Sequence, residues 1–501
     1  MDVTKLNVII PAAGAATRLQ PLSKHTSKIM VRVNGKPCFD YIWESINKSL
    51  NTSQELGEVI VVTGKFEDTQ DYINKNKNRF YNVKCVKQEE MIGPRDAIST
   101  GMQALEQPNN PVVIWLGDTI IRDTLPLGTD FLATMPVKDH SSWCMWDGAD
   151  YFNKPSYKVP EAKALVGVYS FEDGSVAKDA FVNSDQYEIS DSLDTSGVEF
   201  DDVIVSKWYD IGDLPNYYKT CGALLTTKAR AFNNLEFDSS LSTVRKTPNY
   251  HDKASIETLR NEKAWYDELT PEQSMLTPRI LPHATDLIMS YESGTLLSDL
   301  MLYDNLNTST WEYIIDKVFK IKLGYFNSRI NENWMVNEFS DLSHAMWVDK
   351  TNDRLNDLED SDICEKIGQY SIDVWKQTTP VGCHHGDLHF GNILYNQATD
   401  QLKLIDPRGN YGSHTGALGD NLYDWCKLGH DLIYGYSSLV ANVEQNESVK
   451  DIFLDKLDEY DLPKDIIKKG SLVLLATCIP LHYDDTKRQQ RMINRVKENI
   501  K

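Results

Sequence analysis

Val8-Ile9-Ile10-Pro11-Ala12-Ala13-Gly14-Ala15-Ala16-Thr17-Arg18-Leu19-Gln20-Pro21-Leu22 runs from a short apolar stretch straight into a turn of small residues, with Ser27-Lys28 close behind. The run is apolar throughout, as a strand covered on both faces should be. Val59-Ile60-Val61-Val62 and Val112-Val113-Ile114-Trp115-Leu116 repeat the pattern, and a helical stretch, Tyr41-Ile42-Trp43-Glu44-Ser45-Ile46, lies between the first two. Strand, helix, strand at this spacing predicts an α/β, doubly wound, Rossmann-like domain with a mostly parallel sheet. Ligands of such domains sit at the carboxyl ends of the strands. Small residues there let backbone N–H groups approach an anion, and a helix start is expected to add its positive end. Arg18 would meet phosphate oxygens as a planar fork and Lys28 as a point charge.

Two carboxylates join this loop. Leu116-Gly117-Asp118 ends the third strand, and Trp208-Tyr209-Asp210-Ile211-Gly212 supplies a second acid late in the same domain. Singly, each reads as a cap or turn residue. As a pair they suit Mg²⁺, which takes one or two carboxylates plus phosphate oxygens.

Together these residues resemble the sugar-phosphate nucleotidyltransferase family, whose signature is G-x-G-T-R followed by P-K. The matching residues are Gly14-Ala15-Ala16-Thr17-Arg18 and Ser27-Lys28, with Gly117-Asp118, Lys154-Pro155, Gly167-Val168-Tyr169 and the block from Trp208 in support. Ala16 replaces the second glycine, Ser27 the proline, and Asn153 the glutamate of the usual E-K-P. The resemblance implies nucleotide contacts from Ala13, Gly14, Ala15, Thr17, Arg18, Lys28, Gln88 and Gly93, the last in Gly93-Pro94-Arg95-Asp96-Ala97. It also implies catalytic roles for Arg18 and Lys28, substrate contacts from Lys154 and Gly167, and metal ligation by Asp118 and Asp210. The chemistry implied is transfer of a nucleotidyl group from an NTP to a substrate phosphate. That nucleophile is already ionised and needs no general base. Anion repulsion opposes it: two unit charges at about 4 Å cost roughly 1 kcal/mol in water and about 4 at an effective dielectric of about 20. Cations must therefore dominate the site.

From about Phe232 the grammar changes. A hairpin (Leu235-Glu236-Phe237, then Ser242-Thr243-Val244-Arg245-Lys246) and a charged helix from Ser255 to Glu268 precede a mainly helical stretch after Asp299, interrupted by a loop-rich island at 381–425. Within the island stand His385-Gly386-Asp387-Leu388-His389-Phe390-Gly391-Asn392 and Leu402-Lys403-Leu404-Ile405-Asp406-Pro407-Arg408-Gly409. An acid five residues before an amide, with a second acid ending the next apolar strand, is the layout of a kinase centre. Asp387 would accept a hydroxyl proton, and Asn392 and Asp406 would hold metal ions. The wording H-G-D-L-H-x-G-N resembles the aminoglycoside phosphotransferase and choline kinase family. That implies a two-lobed, protein-kinase-like α+β phosphotransferase domain. Lys246 is then the candidate ATP-phosphate lysine, Glu262 its ion-pair partner with Glu257 in reserve, Met289 and Tyr291 the adenine-side hinge, and His385 a substrate-side or bracing residue. His384, His385, His389, His414 and His430 crowd this part of the chain but match no zinc spacing. Its aromatic residues, Trp347, Trp375, Trp425, Tyr423, Tyr434 and Tyr436, read mainly as core, with a cage for a quaternary ammonium as the alternative.

The predicted organisation is thus a nucleotidyltransferase domain at 1–228 and a small-molecule kinase domain at 229–501, its β lobe at 229–295 and its α lobe at 296–501. The expected cofactor is Mg²⁺ at both sites, with ATP and a second NTP as substrates. The fusion suggests consecutive steps toward an NDP-activated precursor for surface polysaccharide or lipid head groups. The pairs of this logic are choline kinase with phosphocholine cytidylyltransferase, and a sugar kinase with a uridylyl- or guanylyltransferase. CTP is slightly favoured by resemblance, and one silent, nucleotide-sensing half is the competing reading. Composition narrows the partners. Over 501 residues, 52 Lys and Arg against 73 Asp and Glu give a net charge of −21, which repels nucleic acid and anionic membrane. Eight scattered cysteines without a C-x-x-C pair suit a reducing, cytoplasmic setting. The first apolar run is too short for a signal peptide and Leu472–Ile479 is about half a membrane span. Homo-oligomerisation is left open.

Overall fold

The computed structural model describes residues 3–90, 92–183, 188–226, 233–238, 240–303, 306–326, 336–356, 358, 360–377 and 381–500. It divides into two compact units, Met1–Leu224 and Leu225–Lys501. The boundary read from sequence, between residues 228 and 229, falls outside the described residues.

The first unit is a Rossmann-like α/β fold. Its strand Thr4–Pro11 lies between Gln54–Thr63 and Val112–Trp115, parallel to both, and Val83–Lys87 extends the parallel part. On the far side Lys163–Phe171 runs antiparallel to Val112–Trp115. Phe131–Met135 and Cys144–Trp146 pair antiparallel with that long strand. The chain leaves the first strand toward one side and returns on the other, so a crevice opens beyond the carboxyl ends of Thr4–Pro11 and Val112–Trp115. Val8, Ile9, Ile10 and Val112–Trp115 are fully buried, as expected of strands covered on both faces. Helix Cys38–Ser49 covers one face by burying Phe39, Tyr41, Ile42, Trp43 and Ile46.

One expectation fails at the glycine loop. No α-helix starts there: a three-residue 3₁₀ turn, Thr17–Leu19, is followed by another at Lys28–Met30, and the first α-helix begins at Cys38. Ala16 adopts the left-handed conformation (φ 49°, ψ 38°), which ends any helical run, and the Ser23 hydroxyl closes the loop onto the Ala16 carbonyl at 2.7 Å.

The second unit opens with an antiparallel sheet ordered Asn233–Asp238, Thr243–Pro248, Leu287–Ser290, Ile280–Leu281. Helix Lys253–Asp267 packs against it. Beyond Leu297 the described residues are mainly helical. The island at 381–425 is richer in strands than its sequence suggests: Ile393–Asn396 pairs with Gln401–Leu404, and Val381–Cys383 with Leu418–Asp420. Leu472–Ala476 belong to helix Lys464–Ala476 and are buried. Among the described residues no helix is long and apolar enough to cross a membrane.

Candidate active site

In the first unit a cavity of about 300 Å³ opens at the crevice between the two central strands. It brings together Ala13, Gly14 and Ala15 from the loop, Lys28, Gln88, Gly93 and Asp118. Nothing lies within 4 Å of the position a Gly14 Cβ would take, so the loop backbone faces open space. Lys28 donates to the Asp118 carboxylate. Asp210 is beside them because Trp208–Asp210 pairs with Thr119–Ile121, register Asp210 to Thr119, and the Ile211 N–H donates to the Asp118 carbonyl at 3.0 Å. One two-stranded ribbon therefore carries both acids. Burial first, and then the neighbouring Asp118, pushes the Asp210 carboxyl up to about 7, against the pull of the Gly212 N–H, Lys28 and Asn216.

Two acids against one ammonium leave the site one charge short of neutral. A hard dication fits that deficit, with Asp118 and Asp210 as its carboxylates and nucleotide phosphates completing the shell. Among the described residues no group of three or more His, Cys, Asp or Glu forms a metal centre by itself, so substrate oxygens would have to share in holding the ion.

Residues 7–135 match the family described as nucleotidyl transferase. The N-terminal part is a nucleotidyl transferase domain. Its curated relatives include a UTP–glucose-1-phosphate uridylyltransferase of Streptococcus pyogenes, 29% identical over 189 residues, 33% of this chain and 60% of that protein. The enzyme of that name from Staphylococcus epidermidis is 31% identical over 155 residues, 26% of this chain and 51% of that protein. The chain thus spans about half to three-fifths of the length of these relatives. Among solved structures, a UDP-glucose pyrophosphorylase complexed with UDP-glucose aligns over 45% of this chain and all of that one, at 21% identity and a TM-score of 0.38. A CTP:phosphocholine cytidylyltransferase from Streptococcus pneumoniae aligns over 44% and 99%, at 18% and 0.36.

Other residues proposed for the transferase domain lie off its cavity wall. Thr17 and Arg18 are exposed on the 3₁₀ turn, and Lys154 is exposed beyond strand Tyr151–Asn153. Gly167 stands behind the site: a Cβ there would meet Leu116 and Thr119 at 2.9 Å, so it fits the strand end that carries Asp118. Sequence reading missed the supports. Asp68 accepts from the Ser27 N–H at 2.8 Å while the Ser27 hydroxyl pairs with Thr69 at 2.6 Å. A proline could make neither bond, which explains the departure before Lys28. Asp96, in the first turn of helix Pro94–Gln103, accepts from Gln88 at 2.6 Å.

In the second unit a cavity of about 450 Å³ is lined by Lys246, Glu262, Asp387 and Asp406 among others. Lys246 Nζ lies 2.6 Å from Glu262 Oε1 and also donates to Asp406. Burial alone would lower the Lys246 pKa, but Asp406 and Glu262 outweigh it and the pKa is raised. Gly409 makes this meeting possible: at φ 70° its Cβ position is 2.0 Å from the Asn261 carbonyl, so only glycine lets the 406–409 loop lie against helix Lys253–Asp267. Asp387 sits opposite. Lys427 Nζ is 2.9 Å from its Oδ1, and Asn392 Nδ2 donates to its carbonyl at 2.8 Å and its Oδ2 at 3.1 Å. Both Asn392 bonds use nitrogen, so its amide oxygen remains a hard donor, as Mg²⁺ requires.

The loop bearing Asp387 hangs from a buried ion pair. Asp424 accepts the N–H groups of His385 at 2.9 Å and Gly386 at 2.8 Å, and Lys322 Nζ neutralises it at 2.7 Å. His385 lies off the cavity wall: its ring is buried 5.5 Å from the Trp265 ring, and burial lowers its pKa. Met289, buried opposite Val244, and Tyr291, beside Phe237 at 4.9 Å, also lie off this cavity. Trp347 and Trp425 belong to the core, and the Tyr423 hydroxyl is taken by Lys350 at 2.8 Å. Of the six aromatic residues, Tyr423 and Tyr436 line the cavity. Lys322, Asp424 and Lys427 escaped sequence reading, although charges at 424, 427 and 431, spaced three and four apart along helix Asn421–Leu432, were a usable signal.

Proposed function

We propose that the chain is a bifunctional enzyme whose second unit phosphorylates a small hydroxyl compound with ATP and whose first unit couples the resulting phosphate to an NTP, releasing pyrophosphate. The observation that carries this reading is the pair of cavities, each lined by a carboxylate set against a lysine: Asp118 with Lys28, and Asp387 with Lys427 beside Lys246–Asp406. In the second unit the acceptor oxygen would form a bond to the γ-phosphorus as the bond to the β–γ bridging oxygen breaks. ADP leaves with that electron pair and the hydroxyl proton passes to Asp387. Lys246 would hold the ATP phosphates, fixed by Glu262. Mg²⁺, bound by Asn392 and Asp406, would supply neutralisation of the phosphate charge.

In the first unit the substrate phosphate oxygen attacks the α-phosphorus and pyrophosphate leaves. No side chain need take a proton. Gly14, Ala15 and Gly93 present backbone to the phosphates, Lys28 offsets their charge, and Asp118 with Asp210 would hold the metal that supplies the rest. The names of the curated relatives favour UTP as the nucleotide over the CTP suggested by resemblance. The product would be an activated precursor of the kind used for surface polysaccharide. The test is to give the full chain Mg²⁺-ATP and a panel of hydroxyl compounds, then each NTP in turn, and to look by mass spectrometry for ADP, pyrophosphate and an NDP-linked product. An NDP product that needs both additions supports the reading, and pyrophosphate without ADP formation from any acceptor reduces it to the first unit.

A further inference from the structure

The cavity of the second unit carries more positive charge than its ATP chemistry uses. Five Lys or Arg line it against three Asp or Glu. Lys246 is matched by Glu262 and Asp406, and Lys427 by Asp387. Lys350, Arg354 and Arg408 remain, and among the described residues no carboxylate pairs with any of them. Their hydrogen bonds go to neutral atoms. Lys350 Nζ donates to the Tyr423 hydroxyl at 2.8 Å, Arg408 Nη1 to that same oxygen at 3.4 Å, and Arg354 Nη1 to the Thr477 carbonyl at 3.2 Å.

Lys350 and Arg354 stand one turn apart on helix Lys350–Leu355. Tyr423 and Lys427 stand one turn apart on Asn421–Leu432. The cluster therefore adjoins the Lys427 side of Asp387, where an acceptor hydroxyl must lie, and not the Lys246 side, where ATP phosphates belong. Burial first, then Arg408, Arg354 and Lys427, holds the Lys350 pKa well below that of an ordinary lysine. Three cations converging without a counter-ion are destabilising unless a ligand provides one.

We infer that the phosphate acceptor of this site is itself an anion: a hydroxylated compound bearing a carboxylate or phosphate, held by Lys350, Arg354 and Arg408 with its hydroxyl at Asp387. This rests on the kinase reading of the second unit and sharpens it, because a positively charged amino alcohol would be repelled by the wall that must bind it. Charge-assisted, forked contacts of Arg with acid groups also give orientation, which selects one hydroxyl for transfer.

The experiment uses two sets of hydroxyl compounds that span charge: gluconate, glucose 6-phosphate, glucose and glucosamine on six carbons, and glycerate, glycerol 3-phosphate and glycerol on three, with choline as a cationic alcohol beside them. Binding to the full chain is measured calorimetrically with Mg²⁺ and a non-hydrolysable ATP analogue, and turnover by ADP release. The acid members are expected to bind and turn over best, the carboxylate and phosphate arms telling which acid group is read. Arg354→Gln and Lys350→Gln should each raise the acceptor KM about 10- to 100-fold, the range for losing a charge-assisted hydrogen bond, with the KM for ATP within about twofold. Removing one cation from a like-charged group should leave the melting temperature level or higher, so loss of folding does not mimic the result. Acid binding that these substitutions weaken, without turnover of any compound, would uphold the anion site and defeat the kinase reading. A preference for glucosamine or choline, no charge preference in either readout, or a rise confined to the KM for ATP would overturn the inference.

Discussion

The two cavities solve charge in opposite ways. In the first unit two acids face one ammonium and the site runs short of positive charge, so Asp210 keeps a proton up to about 7. In the second, three cations stand without a carboxylate partner among the described residues, and Lys350 is pushed toward neutrality. A site short of cations waits for metal, and a site rich in them waits for an anion. On the proposed reading, the first reaction would begin from an ionised nucleophile and need electrostatics alone, whereas the second would begin from an alcohol and also need a base.

Exchanging one oxygen for nitrogen in each unit tests this division with the largest effect. Asp387→Asn should lower ADP formation about 100- to 10,000-fold, the usual share of a general base, while pyrophosphate release from a supplied phosphate monoester stays within about twofold. Asp118→Asn should do the reverse, with a loss of at least about 100-fold in nucleotidyl transfer. Loss of both activities from either substitution would break the picture of two independent chemistries.

The supports differ as much as the sites. The first is held by sheet register and backbone, whereas the second hangs on the buried Lys322–Asp424 pair. Lys322→Met leaves Asp424 charged and buried without its partner, which typically destabilises by about 3–5 kcal/mol. Calorimetry of the full chain should show the transition of the second unit moving down while that of the first stays in place. An unchanged second transition would show that the two N–H donors to Asp424 suffice.

How much of this was legible follows from the same contrast. The first site is written nearly in one line, since a strand, its small-residue loop, Lys28 and the Gly117-Asp118 turn all sit where a switch point must put them. Asp387, Asn392 and Asp406 were legible for a like reason, being close in sequence on a loop and the next strand end. The helix expected after Gly14 was not there, because Ala16 in the left-handed region and the Ser23 bond stop it, and neither is visible in a run of alanines. Lys322, Asp424, Lys350 and Arg354 lie on helices far from the Asp387 loop in sequence. Only burial of neighbours such as Tyr423, Trp425 and Trp347 turns them toward it, so no local pattern announces them. His385 shows the converse: its adjacency to Asp387 left a substrate-side and a bracing role open, and only the fold places its ring in the core beside Trp265.

The proton on Asp210 gives a smaller, signed effect. Its carboxyl is raised in the folded state above the ordinary value near 3.8, so between about 4 and about 7 the folded chain binds more protons than the unfolded one. Stability of the metal-free first unit must then fall as pH rises through that window. Asp210→Asn should flatten the dependence, and Mg²⁺ with an NTP should oppose it by replacing the proton. Metal-free melting temperatures measured across the window check this, and a rise with pH in the wild type that Asp210→Asn abolishes would reverse the assignment of charge deficit to this cavity.

The smallest effect concerns Ala16, which stands where the resembled signature has its second glycine. A left-handed non-glycine residue costs about 1–2 kcal/mol, and glycine would remove that strain at an unfolded-state entropy cost of about 0.4–1 kcal/mol. The two bonds that close the loop, from the Leu19 N–H at 3.0 Å and the Ser23 hydroxyl at 2.7 Å, both end on the Ala16 carbonyl and survive the substitution. Ala16→Gly should therefore stabilise the first unit by up to about 1 kcal/mol. Ala15, outside the left-handed region, supplies the control of opposite sign, since Ala15→Gly gains flexibility without relieving strain. If both substitutions destabilise equally, the Ala16 conformation carries no strain, and the loop owes its shape to the ribbon and to Asp68 instead.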